Sequence, residues 1–573
     1  MAALLPSSNS ICRMGHVSFF SNPTSSSRCS LCFPIYFQYS SYGVKLYRVP
    51  GVAMAHLRSL TICAKAGSVV HGTELGSDLG SSSPLTQRSN PLLDRSNHSL
   101  NDADDFEKQL EELFDEVKSL ISTGKITDAV DLLQANYHAV KEQLDAGFSG
   151  IEEAATLDII ALGSMGVGNL KMVGSLLDAM SKIVDSLDDD EMLLDSILVH
   201  MGSMYSAIDN SQKSIFVYER ALKIMDDVYG THNMFLVSPL LGLAKVLGSI
   251  GRAIEAAEIY KRVINIMESN YGADSADLVL PLACLGNLLL DQGKADDAEH
   301  PFTRILNLYT TQHGETDGRV GMALCSLAHV KCAQGNADET VRLYRKALQV
   351  IKDSGYMTLD DDIMEKMRID LVEFLHVVGR SDEGRELLEE CLVITEKYKG
   401  KDHPSVATHL INLATSYSFS KNYAEAERLL RISLRVMMKS VGPDDPSITF
   451  PMLHLAVTLS NLQRDKEAER LTLDVLRIRE AAFGKESLPV GEALDCLVSI
   501  QTRLGEDDKK LLGSLKRVLE IQEKEFGPES EEILITLKKI VYYLDKLGKK
   551  QEKFPLQRRL SVLRNKYKHT VQY

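Results

Sequence analysis

Beyond about residue 104, apolar residues recur at intervals of three, four and seven in segments of helix length. One segment contains Leu410, Leu413, Ala414 and Tyr417, and the next contains Ala426, Leu429, Leu430 and Ser433. This spacing places one apolar stripe on each of two consecutive helices, with small residues where the helices approach each other. The pattern therefore predicts helical hairpins that pack through one face.

Two series of predicted loops and turns separate these segments at a regular period. Tyr229-Gly230, Tyr271-Gly272 and His313-Gly314 recur every 42 residues, and Gly400, Gly442, Gly484 and Gly527 continue at nearly the same step. A second series predicts one tight turn per period, at Gly124-Lys125, Gly168-Asn169, Asp209-Asn210, Gly251-Arg252, Gly293-Lys294, Gly335-Asn336, Gly379-Arg380, Lys421-Asn422, Gln463-Arg464, Gly505-Glu506 and Gly548-Lys549. Two turns per period imply two helices, which predicts a solenoid of roughly ten to eleven hairpins between Asp104 and Lys568. Pro404, Pro446 and Pro528 follow Gly-containing loops, so we expect a helix to begin at each.

The order of large, small and aromatic residues resembles the tetratricopeptide repeat, extended in its loop. Gly400-Lys401-Asp402-His403-Pro404, followed by Leu410-Ile411-Asn412-Leu413-Ala414, is similar to the kinesin light chain variety of the repeat. The resemblance covers most of residues 190–550; Lys510 departs from it, standing where Ala is expected. It implies an all-α fold, a right-handed α-solenoid of tandem tetratricopeptide-type helical hairpins with a concave groove. The folded part then divides into degenerate N-terminal helical repeats (104–190), kinesin light chain-like repeats (191–550) and a basic C-terminal capping segment (551–573).

The resemblance also implies where partners bind, because the first helix of each hairpin lines the groove in this fold. The corresponding positions here are Lys245, Asn287, His329, Glu373, Ile411 and Thr415. They form a mixed apolar and neutral surface that suits peptide segments or helices of partner proteins. Lys245 and Asn287 alone fit part of the family's carboxylate clamp, so an acidic C-terminal tail is not the expected partner. The alternative for each position is ordinary surface.

The N-terminal region has the composition of a targeting sequence. Residues 1–65 are rich in Ser, contain Arg and Lys without Asp or Glu, and have no apolar run long enough to span a bilayer. This composition predicts a transit peptide, and Ile62-Cys63-Ala64 resembles a chloroplast processing site. We expect a plant organelle-targeted protein of the chloroplast stroma; the alternatives are the mitochondrion and a disordered cytosolic N-terminus. Residues 66–103, rich in Ser, Gly and Asn, predict a disordered linker.

The charge distribution limits the partners. The formal net charge is −15, and the first 73 residues contain Lys and Arg but no acid, so the acidic excess beyond them is larger still. Nucleic acid is therefore an unfavourable main partner. A basic cluster nevertheless closes the chain, comprising Lys546, Lys549, Lys550, Lys553, Arg558, Arg559, Arg564, Lys566 and Lys568. It predicts a polar capping helix, and the alternative is peripheral contact with RNA or an anionic membrane surface.

The sequence contains no recognisable catalytic constellation. Phosphate-binding loops, zinc-protease helix motifs and nucleophile elbows are absent from it. Cys325, His329 and Cys332 share one helix face and could belong to a soft-metal or redox site, but packed small residues are the simpler interpretation. We therefore predict no enzyme, no cofactor and no metal, and expect a protein–protein interaction scaffold acting as an assembly or regulatory factor in the chloroplast. The alternative is a helical-repeat RNA-binding factor of the plastid that uses the basic C-terminal end; the oligomeric state stays open.

Overall fold

The computed structural model describes residues 102–568, and within that range every regular element is helical. The predicted transit peptide, and the predicted linker up to residue 101, lie outside the described residues. Two compact units make up the described chain: an N-terminal unit of residues 102–315 with 329–335, and a C-terminal unit of residues 316–328 with 336–568.

The helices follow one another in hairpins, each odd-numbered helix pairing with the next even-numbered one. The first ten are α1 (Asp102–Ser122), α2 (Ile126–Asp145), α3 (Ile151–Gly166), α4 (Leu170–Val184), α5 (Leu194–Ala207), α6 (Ser211–Tyr229), α7 (Val237–Ser249), α8 (Ala253–Tyr271), α9 (Val279–Asp291) and α10 (Ala295–His313). Helix α11 (Gly318–Ala333) contributes to both units.

The C-terminal unit continues the same alternation. Its further helices are α12 (Ala337–Ser354), α13 (Asp362–Val377), α14 (Ser381–Lys399), α15 (Pro404–Phe419), α16 (Tyr423–Val441), α17 (Thr449–Asn461), α18 (Asp465–Phe483), α19 (Leu488–Leu504), α20 (Asp508–Phe526), α21 (Ile533–Lys546) and α22 (Lys550–Lys568). Residues 102–568 thus form eleven hairpins, in agreement with the predicted number.

Residues with a positive φ occur both at the turns within hairpins and at the loops between hairpins, in two different conformations. All eleven predicted turns are present, and the turn residue has φ between 59° at Asp209 and 82° at Gly251. The seven predicted loop glycines between hairpins instead combine φ of 81° to 97° with ψ of 155° to 165°. That second combination is open almost only to glycine, which accounts for the strict recurrence of Gly at the loops.

Small residues let the two helices of a hairpin approach closely, as the sequence pattern predicts. A Cβ atom added to Gly286 would lie 2.6 Å from the ring of Phe302, and one added to Gly202 would lie 2.8 Å from the ring of Tyr218. Equivalent positions in other hairpins hold Ala244 and Ala414, both fully buried. The aromatic ring of the second helix therefore packs directly on the backbone of the first.

Arginines on several second helices tie a hairpin to the one before it, a feature that the sequence analysis missed. In the N-terminal unit, Arg262 donates to Asp226 (2.6 Å) and to the Thr231 carbonyl (3.3 Å), and Arg304 pairs with Glu268 and donates to the Ala273 carbonyl (2.9 Å). We call this double contact, with an acid and with a loop carbonyl of the preceding hairpin, an arginine brace.

The C-terminal unit contains the same braces at its end. Arg517 donates to Glu480 (2.6 Å) and to the Lys485 carbonyl (2.7 Å), and Arg559 contacts Glu523 and the Pro528 carbonyl. A signal for the braces exists in the sequence, because Arg262 and Arg304 lie 42 residues apart, as do Arg517 and Arg559.

Two local expectations differ from the structure. Pro404 begins α15 and Pro446 begins a 3₁₀ turn, but α21 begins at Ile533 rather than at Pro528. The carbonyls of this loop face α22, since the Pro528 carbonyl accepts from Arg559 and the Glu529 carbonyl accepts from the Tyr567 hydroxyl (2.7 Å).

The second difference explains the unexpected Lys510. Helix α20 begins three residues after its turn residue, Gly505, whereas α18 begins two residues after Gln463. This extra residue moves Leu511, which is 1% exposed, into the buried place and leaves Lys510 exposed.

The fold class is therefore confirmed: the described chain is all-α, and within each unit its helices form the tandem hairpins expected of a tetratricopeptide-type solenoid. Among residues 102–568, no helix combines the length and the apolar character that a membrane crossing requires.

Candidate functional site

The first helices of consecutive hairpins lie side by side and share polar contacts. In the N-terminal unit, Asp158 Oδ2 of α3 lies 2.6 Å from His200 Nδ1 of α5. In the C-terminal unit, Thr502 Oγ1 of α19 lies 2.6 Å from the Tyr543 hydroxyl of α21. Within each unit the first helices thus form one face, the face on which partner-binding residues were predicted.

The predicted residues of the N-terminal unit differ in exposure. Lys245 on α7 is exposed, whereas Asn287 on α9 and His329 on α11 are half-buried. Burial raises the pKa of the Cys284 thiol on α9, and a hydrogen bond with Tyr260 and the charge of Lys245 lower it in part. Lys245 therefore lies close to α9, and the structure brings these two first helices together at the predicted place.

The predicted residues of the C-terminal unit are a mixed set. Glu373 on α13 is exposed, while Thr415 on α15 is half-buried and donates its hydroxyl to the Ile411 carbonyl (2.9 Å). Ile411 is only 4% exposed and belongs to the hydrophobic core. Its side chain packs in the core beneath the face. A contact of Ile411 with a partner therefore stays a prediction from the sequence.

Two exposed apolar residues that the sequence analysis did not select lie four residues beyond the predicted positions. They are Val377 on α13, 76% exposed, and Phe419 on α15, 44% exposed. With the neighbouring hairpin they define the first-helix strip, which consists of Glu373, Val377, Thr415, Phe419, Val457 and Asn461. Spacing of four residues puts both members of each helix on one side, so the strip could have been found by extending each predicted position by one helical turn.

A hydrogen-bonded histidine orients the centre of the first-helix strip. His376 Nδ1 lies 2.7 Å from the Val372 carbonyl, and its Nε2 lies 2.7 Å from Ser416 Oγ on α15. Burial lowers the pKa of His376, against a smaller raising effect of the Val372 carbonyl, so the ring is neutral near pH 7. The ring centroid of Phe419 lies 6.3 Å from that of His376. The strip is thus held by a neutral contact between two first helices.

The same hairpins bury ionisable side chains just beneath the face. Asp370 on α13 is 7% exposed, and burial raises its pKa to about 7 although Lys366 lowers it in part. His409 on α15 is 1% exposed, and burial lowers its pKa to about 4. Both groups carry less charge at neutral pH than they would in water, because burial disfavours their charged forms. The buried layer therefore adds little charge to the face above it.

The basic C-terminal segment is largely occupied by internal ion pairs. Lys546 pairs with Asp508 (2.8 Å), Lys553 with Asp545 (2.5 Å) and Lys566 with Glu529 (2.8 Å). Lys549 contacts Glu552, and Arg559 contacts Glu523. Five of the nine predicted cations are thus paired, and two of them, Arg559 and Lys566, join α22 to α20 and to the loop after it.

The candidate metal or redox residues are poorly suited to that chemistry. Cys325 is 6% exposed, and burial raises the pKa of its thiol, which disfavours the reactive thiolate. Cys332 is half-buried. Across residues 102–568, no group of three or more His, Cys, Asp or Glu side chains is arranged to hold a metal ion.

Comparisons with known proteins agree with the helical hairpins. Residues 193–269 and 364–439 match one tetratricopeptide repeat model, and residues 452–488 match a second. A comparison with proteins of curated function finds no match.

Several solved structures are similar at low identity. BtubC from P. vanneervenii is 18% identical, with 44% of this chain and 93% of that chain covered and a TM-score of 0.31. A putative kinesin light chain with nearly identical repeats from P. anserina is 19% identical, with 36% and 96% covered and a TM-score of 0.32. The apo form of the quorum sensor NprR from B. thuringiensis is 12% identical, with 65% and 99% covered and a TM-score of 0.36. The matched segments and the hairpin geometry together show that this chain carries tetratricopeptide repeats.

Proposed function

We propose that the protein is a non-catalytic scaffold that binds segments of other proteins along its first helices. The observation that carries this proposal is the first-helix strip, where Val377 and Phe419 stay exposed in a set that also includes Glu373, Thr415 and Asn461. Such a surface offers apolar pockets to side chains and hydrogen bonds to a backbone. Tetratricopeptide repeats generally serve as interaction scaffolds, which supports the same conclusion.

We further propose that the scaffold works in the chloroplast stroma as an assembly or regulatory factor. The support is the composition of residues 1–65, rich in Ser and free of acids. These residues lie outside the described part, so the proposal rests on sequence composition alone.

The RNA-binding alternative draws less support from the structure. Phosphate binding needs cations that are free to displace counterions, whereas five of the nine in the basic cluster of residues 546–568 already pair with carboxylates. Protein segments therefore remain the favoured ligand class.

Affinity capture with purified residues 66–573 tests the scaffold function. The double variant Val377→Asp with Phe419→Asp should reduce the recovery of partner proteins from stromal extract by about tenfold, because two charges replace the apolar anchors. Lys245→Glu and Asn287→Ala test the predicted positions of the N-terminal unit in the same assay.

Val393→Asp is the matched control, because Val393 is 63% exposed but lies on the second helix α14. It should leave capture unchanged. An identical set of captured proteins from the parent and the double variant would refute the first-helix strip as the binding surface.

The location is tested separately, by incubating the full chain with isolated chloroplasts and with isolated mitochondria. Protease-protected, shortened protein in chloroplasts is the expected result. Protection only in mitochondria, or in neither organelle, would overturn the chloroplast proposal and leave the scaffold proposal intact.

A further inference from the structure

The last hairpin, α21 with α22, exposes the positions through which earlier hairpins contact the hairpin that follows them. In the C-terminal unit, the sixth residue after a turn residue can contact the following hairpin. Glu427 accepts from Arg464 (2.8 Å), and Glu469 accepts from Gln501 (2.7 Å). The equivalent residue of the last hairpin is Phe554, which is 63% exposed. A large apolar side chain thus occupies a contact position without a covering helix in the described chain.

A cation accompanies Phe554 one helical turn later. The tenth residue after the turn residue is Arg345 in one hairpin and Arg431 in another, and each reaches a carboxylate of the following hairpin, Glu383 and Glu467 respectively (3.8 Å for Arg431). The equivalent residue here is Arg558, which is exposed and makes no ion pair with any described residue. Its counterparts indicate what this position binds, namely a carboxylate on a helix.

The first helix of the last hairpin shows a reversal of charge. Asp495 on α19 faces the following hairpin and pairs with Lys539 (2.6 Å). The residue equivalent to Asp495 in the last hairpin is Lys538, which is exposed and has no ion pair within residues 102–568. A following hairpin with a cation at the place of Lys539 would bring that cation against the like charge of Lys538.

We propose that Lys538, Phe554 and Arg558 form a docking face for an acidic amphipathic helix of a partner protein. The geometry favours a helix, because the equivalent positions of earlier hairpins each contact helical hairpins. The charges favour an acidic one, because both cations lack a counter-ion in the described chain, and Phe554 requires an apolar side chain beside them. This face is distinct from the first-helix strip and does not depend on the proposed function.

Binding of two designed peptides to purified residues 66–573 tests the proposal. Each peptide is a helix of about 20 residues with Leu on one side, and its other side carries Glu in one peptide and Lys in the second. The Glu peptide should bind, and Phe554→Ala and Arg558→Glu should each weaken its binding by about tenfold. The Lys peptide should not bind measurably.

Two control variants separate this face from general surface effects. Val393→Ala removes an apolar side chain that is 63% exposed on α14, in another hairpin, and Arg435→Glu reverses an exposed cation on α16. Both should bind the Glu peptide like the parent.

Four results would overturn the proposal: equal binding of both peptides, no binding of the Glu peptide, Phe554-dependent binding to vesicles containing phosphatidylglycerol, or Arg558-dependent self-association in sedimentation. The last two would replace the acidic helix by a membrane or by a second copy of this chain.

Discussion

At the residue scale, the two left-handed conformations place different demands on the sequence. Turn residues within hairpins lie in the ordinary left-handed helical region, and Asp209, Lys421 and Gln463 fill three of the eleven turns without glycine. The seven loop residues that combine a positive φ with an extended ψ, such as Gly272, are all glycine, whereas the loop residues Leu193 and Gly355 lie in the left-handed helical region. A side chain is tolerated at moderate cost in the first region but strongly disfavoured in the second.

Replacing glycine by alanine should therefore have different effects at the two kinds of site. Gly272→Ala should cost close to 3 kcal/mol and Gly251→Ala close to 1 kcal/mol, the two ends of the range of about 1–3 kcal/mol for strained residues. A Cβ atom meets no other atom within 4 Å at either place, so the difference reports backbone strain alone. Thermal unfolding and hydrogen exchange of α8 and α9 provide the measurement.

The matched control is Gly513→Ala, in the middle of α20 and also free of neighbours within 4 Å. Because its backbone is already helical, we expect stabilisation by about 0.5–1 kcal/mol. Equal destabilisation by Gly272→Ala and Gly251→Ala would contradict the distinction between the two conformations.

Asp370 should make the C-terminal unit less stable as the pH rises. Its folded pKa of about 7 lies above the ordinary value of 3.8, so the folded state holds a proton that the unfolded chain releases between about pH 4 and about pH 7. The free energy of unfolding therefore falls across this window. Asp370→Asn should remove the dependence and raise the urea midpoint near pH 8, as measured by circular dichroism.

His409 provides a comparison of opposite sign. Its folded pKa of about 4 lies below the ordinary value of 6.5, so its contribution is present at neutral pH and is lost as the pH falls through this range. His409→Gln should flatten the acid side of the profile of unfolding free energy against pH and leave the region above about pH 7 unchanged.

For Asp370, the contradicting outcome is an Asp370→Asn variant whose profile of unfolding free energy against pH runs parallel to that of the parent. It would show that Asp370 titrates normally.

At the element scale, an arginine brace couples a hairpin to the loop of the preceding one. Arg304 is 23% and Glu268 30% exposed in their side chains, so this pair is less screened by water than a surface pair. The additional bond to the Ala273 carbonyl satisfies a loop acceptor. A brace therefore fixes the position of one hairpin against the next, which apolar packing alone does less specifically.

Arg304→Gln should cost about 1–2 kcal/mol, because a charged hydrogen bond and a partly buried ion pair are lost together. Hydrogen exchange should accelerate in the loop between α8 and α9. Arg477→Gln is the matched control, since Arg477 and Asp444 are exposed and 3.6 Å apart, and it should change stability by less than about 0.5 kcal/mol. Equal effects of the two substitutions would show that the brace adds nothing beyond a surface pair.

The elements could be predicted from the sequence because their signals are local. Turn glycines and the apolar period determined all eleven hairpins, and only the extra residue after Gly505 shifted a register, at Lys510. The site was harder to predict, because exposure depends on neighbouring helices that periodicity does not describe. Ile411 was selected although it is buried, and Val377 and Phe419 were missed although they are exposed.

At the scale of the whole molecule, charge is distributed very unevenly along the chain. Residues 102–335 contain 37 Asp/Glu and 17 Lys/Arg, whereas residues 336–568 contain 39 of each. Ion pairs within residues 102–335 leave the net charge of this region, 17 − 37 = −20, unchanged. Self-repulsion therefore opposes folding mainly in the N-terminal region, and a basic partner would be attracted there first.

Salt should accordingly stabilise the two regions to different extents. Raising KCl from about 20 mM to about 300 mM shortens the screening length severalfold, and hydrogen-exchange protection should rise more in residues 102–335 than in residues 336–568. Replacing the exposed Asp131, Asp190 and Asp227 by Asn removes three negative charges outside any ion pair of the described chain, and should reduce this salt response. Since a general effect of salt on apolar burial would act on both regions alike, equal gains in protection would show that net charge does not limit the stability of the N-terminal region.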